Sequence, residues 1–139
     1  MIDHGTIQET IVTTPVEVVS TAMLVVKLAP GSPHPAHAIA SLRDEYATTV
    51  VIPESKFYTI DEVIGTKGPF RLLRFALPTP TAPRGFHSSI SSTLALAGIT
   101  VHMWSTFDAE YILVRQEVLG DALDALAARG FPTPPERGA

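Results

Sequence analysis

The stretch GFHSSISSTLALAGITVHMWSTFDAEYILVRQEVLGDALDALAARG, residues 85–130, decides the fold, because helix, strand and turn signals follow one another there without a gap. Its first part has apolar residues at steps of three and four, which predicts a helix with one apolar face: Phe86, Ile90, Leu94 and Ala97. We expect this helix to end at Gly98, because glycine is the usual residue just past a helix C-terminus.

Two strands and a second helix are expected to follow. Ile99–Trp104 and Tyr111–Val114 are apolar and rich in β-branched or aromatic residues, and Ser105–Ala109 between them suits a hairpin connection. Leucines at positions 119, 123 and 126 repeat at helical spacing and predict the second helix. Gly130 stands where the C-terminal cap of that helix belongs.

A strand is also expected immediately upstream, over Phe70–Leu77, between two prolines. With it the elements run β-α-β-β-α, and the sequence leaves room for a last strand after Gly130. This is the order of an α+β, ferredoxin-like βαββαβ sandwich.

The run Ser105–Val114 and the helix start at Gly85 resemble the ACT-like domains of the amino-acid-sensing type. That family includes the CASTOR arginine sensors and many small bacterial proteins built from two ACT-like units. The resemblance implies an ACT-type sandwich over residues 67–131, and a regulatory protein whose ligand is an amino acid.

The N-terminal half contains two further predicted strands. Met23–Leu28 is rich in β-forming residues and is followed by Ala29-Pro30-Gly31, and Thr48–Ile52 is followed by Pro53. A short helix or a turn is expected from Ala36 to Leu42. The segment around Pro53 and Glu54 resembles the same family, which implies a truncated ACT-like unit over 18–66. Its second helix is either missing or reduced to Asp61–Ile64.

The remaining segments are connections and ends. Residues 1–17 are interpreted as an N-terminal arm, in which Thr6–Val12 forms either a loose strand or an extended arm. Lys67–Pro69 is a short junction without the length of a flexible linker, and Pro78–Arg84 is a proline-rich loop leading into the first helix. Residues 132–139 form a proline-rich tail that we expect to fray.

Composition excludes several classes of protein. The 139 residues include no cysteine, which fits a reducing compartment, and we expect a cytoplasmic protein. A net charge of -4 argues against nucleic acid as a partner, and no apolar run reaches the roughly 20 residues that a membrane span needs. An apolar content of 45% against a charged content of 17% suggests contact with a second copy or a client enzyme.

The candidate ligand site joins the start of the first helix to the hairpin loop. A helix start exposes backbone N–H groups and the positive end of its dipole, which attract a carboxylate, and glycine at position 85 allows close approach. Asp108 is the natural counter-charge for an ammonium group. By resemblance, one side of the site comprises Gly85, Phe86, His87 and Ser88, and the other comprises Thr106, Phe107, Asp108 and Glu110.

Less specific interpretations of the same residues stay open. Asp108 suits a turn, Ser105 and Thr106 can satisfy backbone groups in the hairpin, and Glu110 can be a solvated edge charge. His102 and Trp104 share one face of their strand by alternation.

Two alternatives to an amino-acid-binding regulatory protein remain. One is a small biosynthetic enzyme that uses His87 or His102 with Asp108 or Glu110 as acid–base residues. The other is an interaction module whose sheet face, Trp104 included, pairs subunits. No nucleotide, metal or other cofactor motif is present, so we expect no cofactor.

Overall fold

The computed structural model describes residues 4–77 and 82–135, and the chain divides into two compact units. The larger unit comprises Met1–Ser20 and Arg71–Ala139, and the smaller unit comprises Thr21–Phe70. In chain order the helices and strands are α1 (His4–Thr13), β1 (Val16–Val18), β2 (Met23–Leu28), β3 (Ala40–Arg43), β4 (Thr48–Pro53), β5 (Val63–Ala76), α2 (Phe86–Leu96), β6 (His102–Ser105), β7 (Ala109–Arg115) and α3 (Leu119–Arg129), with 3₁₀-helices at Glu54–Thr59 and Gln116–Val118.

The strands of the larger unit lie in the order β1, β5, β7, β6. β6 and β7 form an antiparallel hairpin, and β1 pairs antiparallel with the second half of β5, where Val16 lies opposite Phe75. From β5 onward the elements run β-α-β-β-α, so the predicted mixed α+β architecture is confirmed for this unit.

The strand that the sequence leaves room for after Gly130 is not formed in residues 131–135. Three of these five residues are prolines, which lack the backbone N–H that a strand ladder requires. β1 pairs with β5 instead, and the N–H of Val16 also donates to the carbonyl oxygen of Pro132 at 2.8 Å. A segment from the N-terminus thus completes a sheet built mainly from the C-terminal half.

Helices α2 and α3 end at the predicted glycines and bury the predicted faces, except that Ala97 is exposed and caps the C-terminus of α2. Gly130 adopts a left-handed conformation with φ 118°, and its N–H donates to the carbonyl oxygen of Leu126 at 3.2 Å. In the part of the chain that the structure describes, no helix has the length and apolar character needed to cross a membrane. The buried helix residues are Phe86, Ile90 and Leu94 of α2, and Leu119, Ala122, Leu123 and Leu126 of α3.

Helix α1 corrects the expectation of a loose strand or extended arm over Thr6–Val12. Ile7 and Ile11 lie one helical turn apart, are 4% and 0% exposed, and belong to the core of the larger unit. The β-branched residues of this segment lower its helix propensity, and packing of its apolar face against the core outweighs that preference.

The smaller unit is an antiparallel sheet in the order β3, β4, β2, β5, to which β5 contributes its first half. The core of this unit comprises Val26, Leu28, Val50 and Ile52. Partly buried residues packed against this core include Ala38, from the segment before β3, and Phe57, from the 3₁₀-helix Glu54–Thr59.

Three segments of this unit differ in detail from the sequence predictions. Of the helix or turn predicted near Ala36, a turn forms at Ala36 and His37, because the prolines before it leave too few residues for a stable helix, and Ala40–Arg43 pairs with β4. Asp61–Ile64 is not helical, since its β-branched residues begin β5. Lys67–Pro69 lies within that same strand.

Candidate functional site

The start of α2 is organised by Gly85, which adopts φ 90°, a conformation that glycine reaches without steric cost. Its carbonyl oxygen accepts hydrogen bonds from the N–H of Ser89 at 2.9 Å and from the hydroxyls of Ser88 at 3.0 Å and Ser89 at 2.8 Å. Within residues 82–135, the backbone N–H groups of His87 and Ser88 donate to no acceptor. Residues 78–81, which include most of the predicted proline-rich loop, lie outside the described residues.

Phe86 anchors the helix start and does not present its side chain to a ligand. The ring is fully buried and lies edge-on to Phe131, with 6.0 Å between ring centroids. Its N–H donates to the carbonyl oxygen of Pro83 at 3.1 Å. Of the four residues predicted on this side of the site, Phe86 therefore offers neither an exposed ring nor an unpaired N–H.

His87 of α2 meets Glu110 of β7, and this contact joins the two predicted sides of the site. His87 Nδ1 lies 3.1 Å from Glu110 Oε2. The Ser105 hydroxyl lies 2.9 Å from Glu110 Oε1 and 2.8 Å from Oε2. The Glu110 side chain is 7% exposed and the His87 side chain 53% exposed, so a buried carboxylate stands behind an imidazole that reaches solvent.

Ser105 belongs to this cluster, although the sequence suggested only a backbone role for it. The detectable signal is the hairpin register, in which Ser105 and Glu110 are directly opposite each other at the open end of the loop. Cross-strand neighbours at such positions interact through their side chains. Glu110 is accordingly a buried, hydrogen-bonded group and not the solvated edge charge that was the alternative.

The loop between β6 and β7 is closed by its own hydrogen bonds. Thr106 donates to the carbonyl oxygen of Ala109 through its N–H at 2.9 Å and its hydroxyl at 3.3 Å. The carbonyl oxygen of Asp108 accepts the N–H of Leu77 at 3.1 Å, while the Asp108 carboxylate is exposed and has no partner among the described residues. Phe107, at the tip, is 82% exposed.

A row of four side chains crosses the opposite face of the same sheet. Arg74 pairs with Glu17 at 3.2 Å, donates to the Tyr111 hydroxyl at 3.0 Å and lies 5.9 Å from the Tyr111 ring centroid. The hydrogen bonds that Arg74 donates to Tyr111 and then to Glu17 raise the pKa of the Arg74 guanidinium. Tyr111 in turn stacks on Trp104, with 5.7 Å between centroids.

His102 lies on the Tyr111 face of β6, because Trp104, two residues further along, pairs with Tyr111. Glu110 lies on the other face, since it directly precedes Tyr111 in β7. His102 and Glu110, named together as acid–base candidates, therefore lie on opposite faces of the hairpin, whereas His87 contacts Glu110.

The remaining loop histidines belong to the smaller unit. His34 is exposed, with Nδ1 at 2.6 Å from the Ser41 hydroxyl and Nε2 at 3.1 Å from the Ala38 carbonyl oxygen, and His37 is exposed. In residues 4–77 and 82–135, no three histidine, aspartate or glutamate side chains come together as metal ligands would.

Residues 83–128 match the profile of the ACT domain family. This segment contains α2, the β6–β7 hairpin and nearly all of α3, and so includes every residue of the candidate site. No curated protein sequence matches the chain.

Solved structures share the fold over most of the chain. A protein of Agrobacterium tumefaciens is 22% identical with a TM-score of 0.75, and the alignment covers 87% of this chain and 92% of that one. A Vibrio cholerae protein of unknown function, described as a possible transport protein, is 16% identical with a TM-score of 0.75 and coverage of 91% and 97%. The regulatory subunit of aspartate kinase from Thermus flavus is 9% identical with a TM-score of 0.60 and coverage of 84% and 97%.

At these identities the structural likeness concerns the fold alone. Together with the family profile, it confirms an ACT-like α+β fold with an antiparallel sheet, as the sequence predicts. The resemblance to the CASTOR-like, amino-acid-sensing subtype stays a prediction.

Proposed function

We propose that the larger unit binds a small molecule, an amino acid in the simplest case, where the start of α2 meets the β6–β7 loop, and that the protein is regulatory. The contact of 3.1 Å between His87 Nδ1 and Glu110 Oε2 carries this proposal, because it joins the helix start to the end of the loop. The ACT domain profile covers both segments, which supports the same location.

The two segments suit opposite ends of a zwitterion. The N–H groups of His87 and Ser88, together with the positive end of the α2 dipole, favour a carboxylate, and Gly85 lets that carboxylate come near the backbone. The exposed carboxylate of Asp108 offers a counter-charge to an ammonium group. Thr106 and Phe107 would supply the loop surface beside it.

Regulation would arise from different ligand affinities of two assembly states, with a coupling free energy of about 1–3 kcal/mol. A second copy or a client enzyme is the proposed partner, the cytoplasm the proposed compartment and the CASTOR-like type the proposed subtype. The regulatory subunit of aspartate kinase from Thermus flavus has the same fold, which supports a regulatory role.

We also propose that the chain contains a truncated ACT-like unit over 18–66 and an ACT-like domain over 67–131. Numbered along the chain, the four strands of the smaller unit lie in the order 2-3-1-4, the order of a ferredoxin-like sheet. The 3₁₀-helix Glu54–Thr59 stands where the second helix would be, and residues 29–39 contain no helix where the first would be.

Isothermal titration calorimetry against the twenty amino acids tests the function. We expect at least one of them to release or absorb heat on binding. Asp108→Ala should weaken the binding of that amino acid by at least about 1 kcal/mol. The control is Asp61→Ala, which removes an exposed carboxylate of the smaller unit and should leave affinity unchanged. Absence of heat with every amino acid would contradict an amino-acid ligand.

The His87–Glu110 pair also favours a second candidate, a small biosynthetic enzyme in which His87 exchanges protons with the substrate. A turnover assay on candidate metabolites separates the two functions. An enzyme would lose activity on His87→Ala and keep it on His102→Ala, whereas a regulatory protein would show no turnover in either form.

A further inference from the structure

The buried carboxylate of Glu110 requires hydrogen-bond donors, because an ionised group that is 7% exposed and unpaired would be costly. Among the described residues, two donors can reach it. The Ser105 hydroxyl has one proton and can donate to Oε1 or to Oε2 but not fully to both. His87 Nδ1 is the other group within hydrogen-bond distance of Oε2.

Two arrangements of the proton between His87 and Glu110 are chemically possible. Either Nδ1 carries the hydrogen and donates to an ionised Glu110, or a protonated Glu110 donates to Nδ1. A carboxyl group is ordinarily ionised at neutral pH, and a carboxylate oxygen bonds only to a ring nitrogen that carries hydrogen, so the first arrangement is favoured. In the neutral ring only one nitrogen carries a hydrogen, and Nε2 is then an acceptor.

The position of the ring directs that acceptor away from Glu110. Nε2 lies on the far edge of the imidazole from Nδ1, and the His87 side chain is 53% exposed while Glu110 behind it is 7% exposed. Within residues 4–77 and 82–135, Nε2 has no hydrogen-bond partner.

We propose that Glu110, oriented by Ser105, holds His87 in the tautomer with hydrogen on Nδ1, so that Nε2 presents a hydrogen-bond acceptor to the ligand. The inference rests on the proposed ligand-binding function and specifies the chemistry at this point of the site. Glu110 and Ser105 are then positioning residues, and His87 determines specificity. The ligand class is one that carries an N–H or O–H donor, such as an ammonium group, beside its acid group.

Nitrogen NMR of the ligand-free protein decides the tautomer directly. With ¹⁵N-labelled histidine, ring-proton correlations at about pH 8, where an ordinary imidazole is neutral, distinguish a protonated from an unprotonated ring nitrogen. The chain has five histidines, and the signals lost in His87→Gln assign the ring in question. We expect a protonated Nδ1 and an unprotonated Nε2, and hydrogen on Nε2 or an even mixture of tautomers would overturn the proposal.

Removing the Glu110 carboxylate gives a second readout, which would not change if Glu110 served only the stability of the fold. In Glu110→Ala, the His87 ring should exchange between both tautomers, whereas the rings of His34 and His37 should keep their wild-type signals. A His87 ring that keeps hydrogen on Nδ1 in the folded variant would contradict the role of Glu110. Where Glu110→Ala does not fold, the wild-type spectrum still decides the tautomer.

The ligand class is tested by comparing each of the twenty amino acids with its des-amino carboxylic acid. We expect any amino acid that binds to bind about tenfold tighter than its des-amino partner, as for a hydrogen bond to a charged group. The preference should become smaller in His87→Leu, where Asp108 still offers a counter-charge to the ammonium group, and keep its full size in the control His37→Leu. A preference unchanged in His87→Leu would overturn the role of Nε2. Failure of both ligand sets to bind would refute the amino-acid ligand, while the NMR result stands separately.

Discussion

Val16 of β1 lies opposite Phe75 of β5, so a strand from the first twenty residues completes the sheet formed by the last seventy. The same N-terminal segment contributes α1, whose Ile7 and Ile11 lie in the core with residues of α2 and α3. The N-terminal residues are therefore part of the fold that holds the candidate site, and changes there should alter its stability.

Ile11→Ala should destabilise the protein, because Ile11 is fully buried and its loss leaves a cavity in the core of the larger unit. The expected cost is about 2–5 kcal/mol in the free energy of unfolding. Urea denaturation followed by circular dichroism measures it. Val12→Ala, one residue along and 47% exposed, is the matched control, expected to change stability by less than about 0.5 kcal/mol. Equal effects would show that α1 does not pack as described.

Gly130→Ala should also destabilise the protein, by about 1–2 kcal/mol in the free energy of unfolding, because φ 118° is unfavourable for any residue with a Cβ. A Cβ here would also come 3.1 Å from Gln8 Nε2. Gly120→Ala is the opposite case, since that glycine lies within α3 and its added Cβ meets nothing within 4 Å. We expect Gly120→Ala to stabilise by about 0.4–1 kcal/mol, measured as a shift in thermal midpoint. If Gly130→Ala and Gly120→Ala changed stability in the same direction, the assignment of Gly130 to the left-handed cap and Gly120 to the helix would be contradicted.

Tyr111→Phe isolates the hydrogen bond at the centre of the row Glu17, Arg74, Tyr111, Trp104. It removes the hydroxyl that accepts from Arg74 at 3.0 Å and should cost about 0.5–1.5 kcal/mol. Tyr58→Phe, at a position 78% exposed, is the control and should be neutral.

Glu17→Gln tests the other contact of Arg74. It should cost less than about 1 kcal/mol, because the Glu17 side chain is 51% exposed and solvent screens the ion pair. The same urea assay measures the free energy of unfolding. A larger loss of stability for Glu17→Gln than for Tyr111→Phe would contradict the expectation that Tyr111 is the more important partner of Arg74.

The sequence predicts the C-terminal half well because its signals are local. The apolar spacing of Phe86, Ile90 and Leu94, and the cap at Gly130, are each set within one or two helical turns. The β6–β7 hairpin follows from two strand-forming runs and one short loop. Such features require no knowledge of distant parts of the chain.

The errors concern segments whose structure depends on distant partners. Residues 4–13 become helical through burial of Ile7 and Ile11, and β3 forms through pairing with β4, and neither contact is visible in a local window. The same holds for the position beside β5, which β1 occupies although the chain order points to a strand after Gly130.

The sequence predicts which two segments form the candidate site but not their contacts. It selects the helix start at Gly85 and the hairpin loop, and the structure brings His87 and Glu110 of these segments into contact. That Phe86 faces the core and Ser105 faces Glu110 follows from three-dimensional packing and strand register, which a list of residue types does not reveal. The roles of the site residues in ligand binding remain predictions.

The most direct test of the central claim is an amide NMR titration of the full chain with the amino acid that calorimetry selects. If the ligand binds where the start of α2 meets the β6–β7 loop, the largest shifts should fall on residues 85–88 and 105–110, with those of the 3₁₀-helix Glu54–Thr59 nearly unchanged. Saturable shifts confined to other residues, with the start of α2 and the β6–β7 loop unaffected, would contradict it.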